Sequence, residues 1–481
     1  MKRKFVTNLF LLLLLNGLIK PFWIFGIDRT VQNVVGAESY GLYFSLFNFS
    51  LVLNMFLDLG ITNFNNRNMA RHSHLLRKYL GNLVSLKFLL AIGYTLVSLS
   101  LALLIGYDRQ QFHLLFFLIV SQFLASFTLF LRSNISGLHL FRTDSLLSVL
   151  DRVLMIVLCS ALLFTNWFGG NFTIAWFVYA QTLAYLMAAL VTFVVLLRYS
   201  GRVRLNFDRR LFVVFIRKSW PFALLILLMS IYFRTNAVLL ERLLPETGKE
   251  QVGIYAQAFR LMDAFTMLGV LFAGLLLPMF SRMIKQGEKV GQLVQLAFLL
   301  IMVPSVLIGV AANVFGLEIM QLLYHEHTEI SAPMLGLLMV GFAGNSASYI
   351  FGTLLTANGS LKQLNGLAAG GMAVNIGLNL LLIPRFGALG AAWVCLFTQL
   401  LMAAAQLLLA VRIFRFRLNW VLILKLTGFL LFSVLAAKVL HLMGNWLAGI
   451  ALFALAGLMY ASLVKLIDLK TLFLLFKNEA R

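Results

Sequence analysis

The chain has 481 residues, 61% hydrophobic and only 12% charged, and apolar windows about 20 residues long recur from end to end. Those proportions exclude an ordinary soluble domain, and continuous runs such as "FALLILLM" and "LLLAVRIF" exclude the alternating segments of about ten residues that build a β-barrel. The net charge of +22 would suggest a nucleic-acid partner in a soluble chain, but here it sits in short loops between spans, so none is expected.

In chain order, "MKRKFVTNLFLLLLL" has the basic start and apolar centre of a secretory signal. It is followed by Lys20, Pro21 and Phe22 rather than by a small-residue cleavage site, so an uncleaved first span is expected. Hydropathy and turn residues then place about fourteen spans. They lie near 6–27, 41–63, 79–106, 112–137, 146–168, 172–197, 213–240, 252–280, 291–316, 331–356, 363–383, 387–411, 420–441 and 445–467. The fold class is therefore an all-α polytopic membrane protein.

The connecting loops alternate in charge. "KRK", "RNMARHSHLLRK", "RYSGRVRLNFDRR", "SRMIKQGEK", "RIFRFR" and the tail from Lys465 are basic, whereas "TNWFGGN", "HLMGN", "ERLLPETGKEQ" and "YHEHTEIS" are neutral or acidic. The positive-inside rule makes the basic set, with both termini, cytoplasmic, and attraction to anionic membrane lipids is a secondary effect of the same residues.

Catalytic chemistry finds no place to sit. No loop exceeds about 20 residues, and no Walker A sequence, paired-carboxylate motif or nucleophile elbow occurs. "HEHTE", with His325, Glu326, His327 and Glu329, lacks helical ligand spacing and reads as a solvated polar turn rather than a zinc site. Cys159 and Cys395, both inside spans, read as small buried residues. No cofactor is expected.

An internal repeat is present. "FGGNFTIAWFVYAQTL" from Phe168 and "FGALGAAWVCLFTQLL" from Phe386 share Phe-Gly, Ala-Trp and a glutamine, so Phe168 with Gln181 matches Phe386 with Gln399. "GLYFSLF" from Gly41 and "GIYAQAF" from Gly253 form a weaker echo. The repeat predicts two six-span lobes, residues 1–200 and 201–415, related by a pseudo-twofold axis along the membrane normal, with two further spans and a cytoplasmic tail in 416–481. A substrate cleft between the lobes is the expectation.

An ionisable group inside a span is costly, by about 2.5–3.5 kcal/mol on insertion scales, and should face water or a partner. Lys20, Arg234 and Arg260 are the deep cations, and Arg29 stands near an interface, where it either snorkels or joins them. Ser230, Arg234 and Glu241 share one face of span 7; Gln257, Arg260 and Asp263 lie together on span 8; Asn48 is followed by Asn54, Asp58 and Thr62 on span 2. Asn16, Gln122, Ser126, Ser133, Asn375 and Asn379 read as helix-to-helix hydrogen bonds. Asp28, Asp58 and Asp263 are either charge partners or sites of proton or sodium coupling. A cavity lined by Lys20, Arg29, Arg234, Arg260, Asn48 and Gln257 would suit an anion, and guanidinium groups hold phosphate by paired hydrogen bonds.

Three stretches carry a family resemblance: "GIDRTVQNVVGAESYGLYFSLFNFSLVLNMFLDLGITNFNNRNMAR", "RTNAVLLERLLPETGKEQVGIYAQAFRLMDAF" and "NLLLIPRFGALGAAW". Taken in order, they resemble the Wzx-type polysaccharide-transporter branch of the multidrug, oligosaccharidyl-lipid and polysaccharide exporter (MOP) superfamily. The resemblance implies a fold like the MATE and lipid II flippase proteins, and a bacterial inner-membrane flippase. Its cargo would be an undecaprenyl-diphosphate-linked oligosaccharide for O-antigen of lipopolysaccharide, capsule or another surface glycan. A polysaccharide polymerase and a chain-length regulator would be its partners, and H+, Na+ or the membrane potential its drive. A lipid II flippase, a multidrug antiporter and, from another class, a membrane-bound glycan-assembly enzyme are the alternatives.

Overall fold

The computed structural model describes residues 15–62, 76–138, 140–165, 172–200, 206, 209–416 and 419–466. The start of the first span, the basic loop before the third, Phe168 of the repeat, the basic segment near 201–205 and the tail beyond 466 lie outside them. Among the described residues all regular structure is helical.

Residues 15–22 are helical and run into a π-helical turn, Trp23–Asp28. Pro21 has no N–H to give to the ladder, and a wider turn follows it: the Arg29 N–H reaches the Ile24 carbonyl, five residues back. The chain then continues as α1, Arg29–Val52, bent at Gly36, whose φ of 78° and ψ of 167° are open to glycine. The expected loop between spans 1 and 2 is thus mostly helix.

The end of span 2 also departs from expectation. α1 stops at Val52, a 3-10 turn covers Asn54–Leu57, and Leu59 and Gly60 take positive φ of 45° and 80°. Asn54, Asp58 and Thr62 therefore do not form one α-helical stripe. Their alternative is local bonding: the Asp58 carboxylate accepts the Thr62 N–H at 3.3 Å and the Thr62 hydroxyl.

The following helices are α2 Leu76–Ile105, α3 Arg109–Gly137, α4 Phe141–Phe164, α5 Ile174–Ser200, α6 Arg209–Leu243, α7 Gly248–Lys285, α8 Gly291–Val314, α9 Gly316–Leu323, α10 Thr328–Ala357, α11 Leu361–Phe414, α12 Trp420–His441 and α13 Trp446–Leu463. Among the described residues eleven helical segments are long and apolar enough to cross a membrane, which makes this a multi-pass membrane protein. The 54 residues of α11 contain the expected spans 11 and 12 joined by a bend at Gly387, with φ 55° and ψ −134°. There the Gln251 side-chain carbonyl accepts the freed Ala388 N–H at 3.0 Å. The short α9 was not expected.

Two compact units divide the chain at Glu241 and Arg242. In the first, α3 packs on α5 and α1, and Met55, Leu83, Leu86, Phe130, Leu131, Leu147, Leu196 and Ala223 form an apolar core drawn from the end of span 2 and α2 to α6. An aromatic group, Trp23, Tyr43 and Phe177, locks the π-turn to α1 and α5, with ring centres 5.9 Å and 5.1 Å apart. α6 up to Glu241 belongs to this unit.

In the second unit, α10 is the most buried span and packs on α7, α8 and α11. Small residues permit that approach: a Cβ on Gly341 would lie 3.4 Å from the Leu396 backbone, and one on Gly344 would lie 3.2 Å from that of Gln399. α12 and α13 pack on α8 through Leu299, Val303, Leu307, Phe429, Ala437, Phe453 and Ala461. Asn419 and Asn445 cap their N-termini.

Candidate anion-binding site and the family of the chain

Within the first unit, span 7 makes polar contacts with α1 and α3. Arg234 donates from a terminal guanidinium nitrogen to Asn48 Oδ1 at 3.4 Å, while Asn48 Nδ2 donates to the Phe44 carbonyl at 2.8 Å. The buried Glu241 carboxylate accepts from Ser45 Oγ on α1 and Gln111 Nε2 on α3, each at 2.5 Å. Gln111 also closes a capping box with Asp108, accepting the Asp108 N–H and donating its own N–H to the Asp108 carboxylate. Arg234 and Glu241 are thus met by different residues of α1, Asn48 and Ser45.

Lys20 is half-buried among charges from two other helices, Arg152 and Asp151 of α4 and Arg132 of α3. Asp28 is buried and accepts from Tyr40 Oη at 2.9 Å. Arg29 is half-buried, and its Nε is enclosed with no hydrogen-bond partner among the described residues.

Asp58 meets a cation absent from the sequence-based expectation. Lys87, 1% exposed on α2, forms an ion pair with Asp58 and donates to the Leu57 carbonyl at 3.0 Å and to Ser126 Oγ at 3.3 Å. The ammonium thereby caps the carbonyl end exposed where span 2 breaks. Asn54 joins the group by donating to Gln122 Oε1 at 3.2 Å. Lys87, Arg132 and Arg152 all stand inside apolar spans, so the criterion that found Lys20 would have found them.

In the second unit Gln257 is buried and faces the polar turn: its Nε2 donates to the Glu326 carbonyl at 3.1 Å, and Tyr324 Oη donates to its backbone carbonyl at 3.3 Å. His327, at φ 57°, stands 3.4 Å from Glu250. Arg260 and Asp263 are half-buried, one turn apart on α7. Asn375 donates to Thr398 Oγ1 at 3.2 Å and accepts from Asn379 at 3.0 Å, a helix-to-helix polar contact across the bend of α11.

The family model described as "Polysaccharide biosynthesis protein" matches residues 5–284, more than half of the chain. The chain belongs to the polysaccharide biosynthesis protein family. A search of curated proteins finds no match. Among solved structures, this family member is similar to the lipid II flippase MurJ in an inward closed conformation, with TM-score 0.71 and 14% identity over 94% of this chain and 98% of that one. It is also similar to a multidrug resistance MATE family transporter of the MOP superfamily in an inward-facing conformation, at TM-score 0.60 and 17% identity over 83% and 94% of the two chains. The Vibrio cholerae MATE transporter VcmN in its bent form gives 0.55 and 16% over 86% and 98%. The fold of this polysaccharide biosynthesis protein is therefore that of MurJ and the MATE transporters.

Proposed function

We propose that this protein is a flippase that carries an undecaprenyl-diphosphate-linked oligosaccharide repeat unit across the bacterial inner membrane by alternating access, for O-antigen, capsule or a related surface glycan. The observation that carries the reading is the set of half-buried cations inside apolar spans, Lys20, Arg29 and Arg234 in the first unit and Arg260 in the second, in a chain of the polysaccharide biosynthesis family. A cation within a span is stable beside water or an ionic ligand rather than hydrocarbon, and a diphosphate is a ligand of that kind.

The physics of the cargo agrees. Sugar and diphosphate cannot pass about 30 Å of hydrocarbon unaided, whereas the polyprenyl tail is at home there. With the basic loops and both termini cytoplasmic, outward movement of each negative charge gains about 2.3 kcal/mol per 100 mV of inside-negative potential. Asp28, Asp58 and Asp263 are then charge partners or sites for a coupling ion, and Asn48 and Gln257 place polar groups beside the cations. A polymerase and a chain-length regulator would take up the delivered unit.

A second reading, lipid II as cargo, is favoured by the similarity to the lipid II flippase MurJ over 94% of the chain. Deleting the gene and identifying the accumulated polyprenyl-linked material by mass spectrometry separates the two. Accumulated oligosaccharide repeat units support the first reading, accumulated lipid II the second, and an unchanged lipid pool overturns both.

A further inference from the structure

Charged and polar contacts of the first unit converge where span 2 breaks. Past Val52 the backbone leaves the α-helix, first as the 3-10 turn Asn54–Leu57 and then with positive φ at Leu59 and Gly60. Gly60 takes its φ of 80° at no steric cost. Leu59, at 45°, carries a Cβ into the left-handed region and is strained. Packing holds it there: Leu59 is 8% exposed within the apolar core that Met55, Ile61, Leu83 and Phe130 share. Strained backbone persists where its surroundings over-determine it, and such positions gather at elements that switch.

One side chain ties the break to its neighbours. The Lys87 ammonium has three donors, and three acceptors surround it: the Asp58 carboxylate and the Leu57 carbonyl of the break, and Ser126 Oγ of α3. The centre of the Phe130 ring of α3 lies 5.7 Å from the same nitrogen. Lys87 thus joins α2, α3 and the end of span 2 at a single atom, while Asn54 adds a second tie to α3 through Gln122. The ion pair is uneven. Lys87 is 1% exposed and Asp58 30%, so Asp58 can part from the ammonium toward water at little desolvation cost, whereas Lys87 is enclosed. That asymmetry makes residues 54–62 the moving part and α2 with α3 the frame.

We propose that residues 53–60 are a hinge of span 2 and that Lys87 is its latch: when the Lys87 contacts to Asp58 and Leu57 part, residues 54–62 turn against α2 and α3, and the strain at Leu59 is relieved. The inference rests on the alternating-access reading and adds to it which segment of the first unit bends and what holds it bent. Local bonding keeps the segment together when the latch is open, because Asp58 still accepts the Thr62 N–H and hydroxyl. Hinges are a few residues at the ends of elements that absorb a large change of φ and ψ, and the stretch that follows α1 is of that kind.

The test follows amide hydrogen exchange by mass spectrometry on the full chain in phosphatidylcholine nanodiscs, beside surface glycan and membrane protein levels in cells. Lys87→Met combined with Asp58→Asn removes both charges. Exchange across residues 53–62 should then rise about tenfold, as for loss of a charge-assisted hydrogen bond, with α2 and α3 changed little. Ser126→Ala, which removes one of the three acceptors, should raise it about threefold and keeps the test sound should the double variant fold poorly. Glycan output should fall in both variants while the amount of protein in the membrane holds. Local exchange at the wild-type rate, or a rise shared equally by α2 and α3, overturns the hinge and leaves Lys87 a fixed cap. Faster local exchange with full glycan output overturns the hinge's part in transport. Exchange reads the hinge without any cargo, so failure of the flippase reading, an unchanged polyprenyl-linked pool on gene deletion, is told apart from failure of the hinge.

Discussion

Gln111 Nε2 donates to Glu241 Oε1 at 2.5 Å, joining the first turn of α3 to the last turns of α6. Because Gln111 also completes the capping box with Asp108, one side chain serves a helix end and a buried carboxylate at once. Gln111→Ala should lower stability by about 1–3 kcal/mol, since it removes a donor from a buried charged acceptor. Asp108→Ala, which loses only the cap, should cost about 1 kcal/mol. Thermal unfolding in detergent ranks the two; an Asp108 variant as unstable as the Gln111 variant contradicts the double role.

The Lys87 and Asp58 pair predicts a strongly non-additive cycle. Lys87 is 1% exposed and Asp58 30%, so Asp58→Asn leaves an enclosed ammonium and should cost about 3 kcal/mol, the low end for breaking a buried pair. Replacing both partners, with Lys87→Met and Asp58→Asn together, should cost less than the two single changes added. Additive losses in unfolding experiments would mean that the pair is not coupled.

Arg234→Ala and Arg260→Ala should each reduce surface glycan while protein levels in the membrane stay near those of wild type. Arg234 has Asn48 as a neighbour on α1 at 3.4 Å, so the residue is oriented without a carboxylate at that contact. Immunoblots of glycan and of tagged protein are the readout. Full glycan output from the double alanine variant removes these cations from the transport path.

Gly387 should resist any side chain. At φ 55° and ψ −134° the backbone is open to glycine, and a Cβ there would stand 2.7 Å from the Gln251 oxygen that holds the bend of α11. Gly387→Ala should cost about 1–3 kcal/mol. Gly366→Ala on the same helix, where a Cβ meets open space, should be neutral or stabilising by up to about 1 kcal/mol. Comparing melting temperatures of the two variants tests the local argument.

Much of the site was legible residue by residue and little of it pair by pair. Lys20 stood out as a charge in an apolar window, and by the same rule Lys87, Arg132 and Arg152 are visible in their spans. Their partners were not, because Lys87 meets Asp58 and Arg152 meets the Trp23 and Tyr185 rings only through packing of helices distant in sequence. Asn54, Asp58 and Thr62 show the opposite failure: their four-residue spacing suggested a helical stripe, and positive φ at Leu59 and Gly60 replaced it with a broken end that Lys87 caps.

By itself the sequence determined that this chain lies in a bilayer as helices, since long apolar windows admit no other way to satisfy the backbone. It also showed where charge interrupts them. Tertiary structure alone decided which charges meet: that Glu241 takes Gln111 and Ser45 while Arg234 takes Asn48, and that Arg152 lies between Trp23 and Tyr185. The reason is physical. Hydropathy sets whether a segment enters the membrane through a sum over its residues, whereas pairing depends on the rotation and register of one helix against another, which close packing of small and apolar side chains selects.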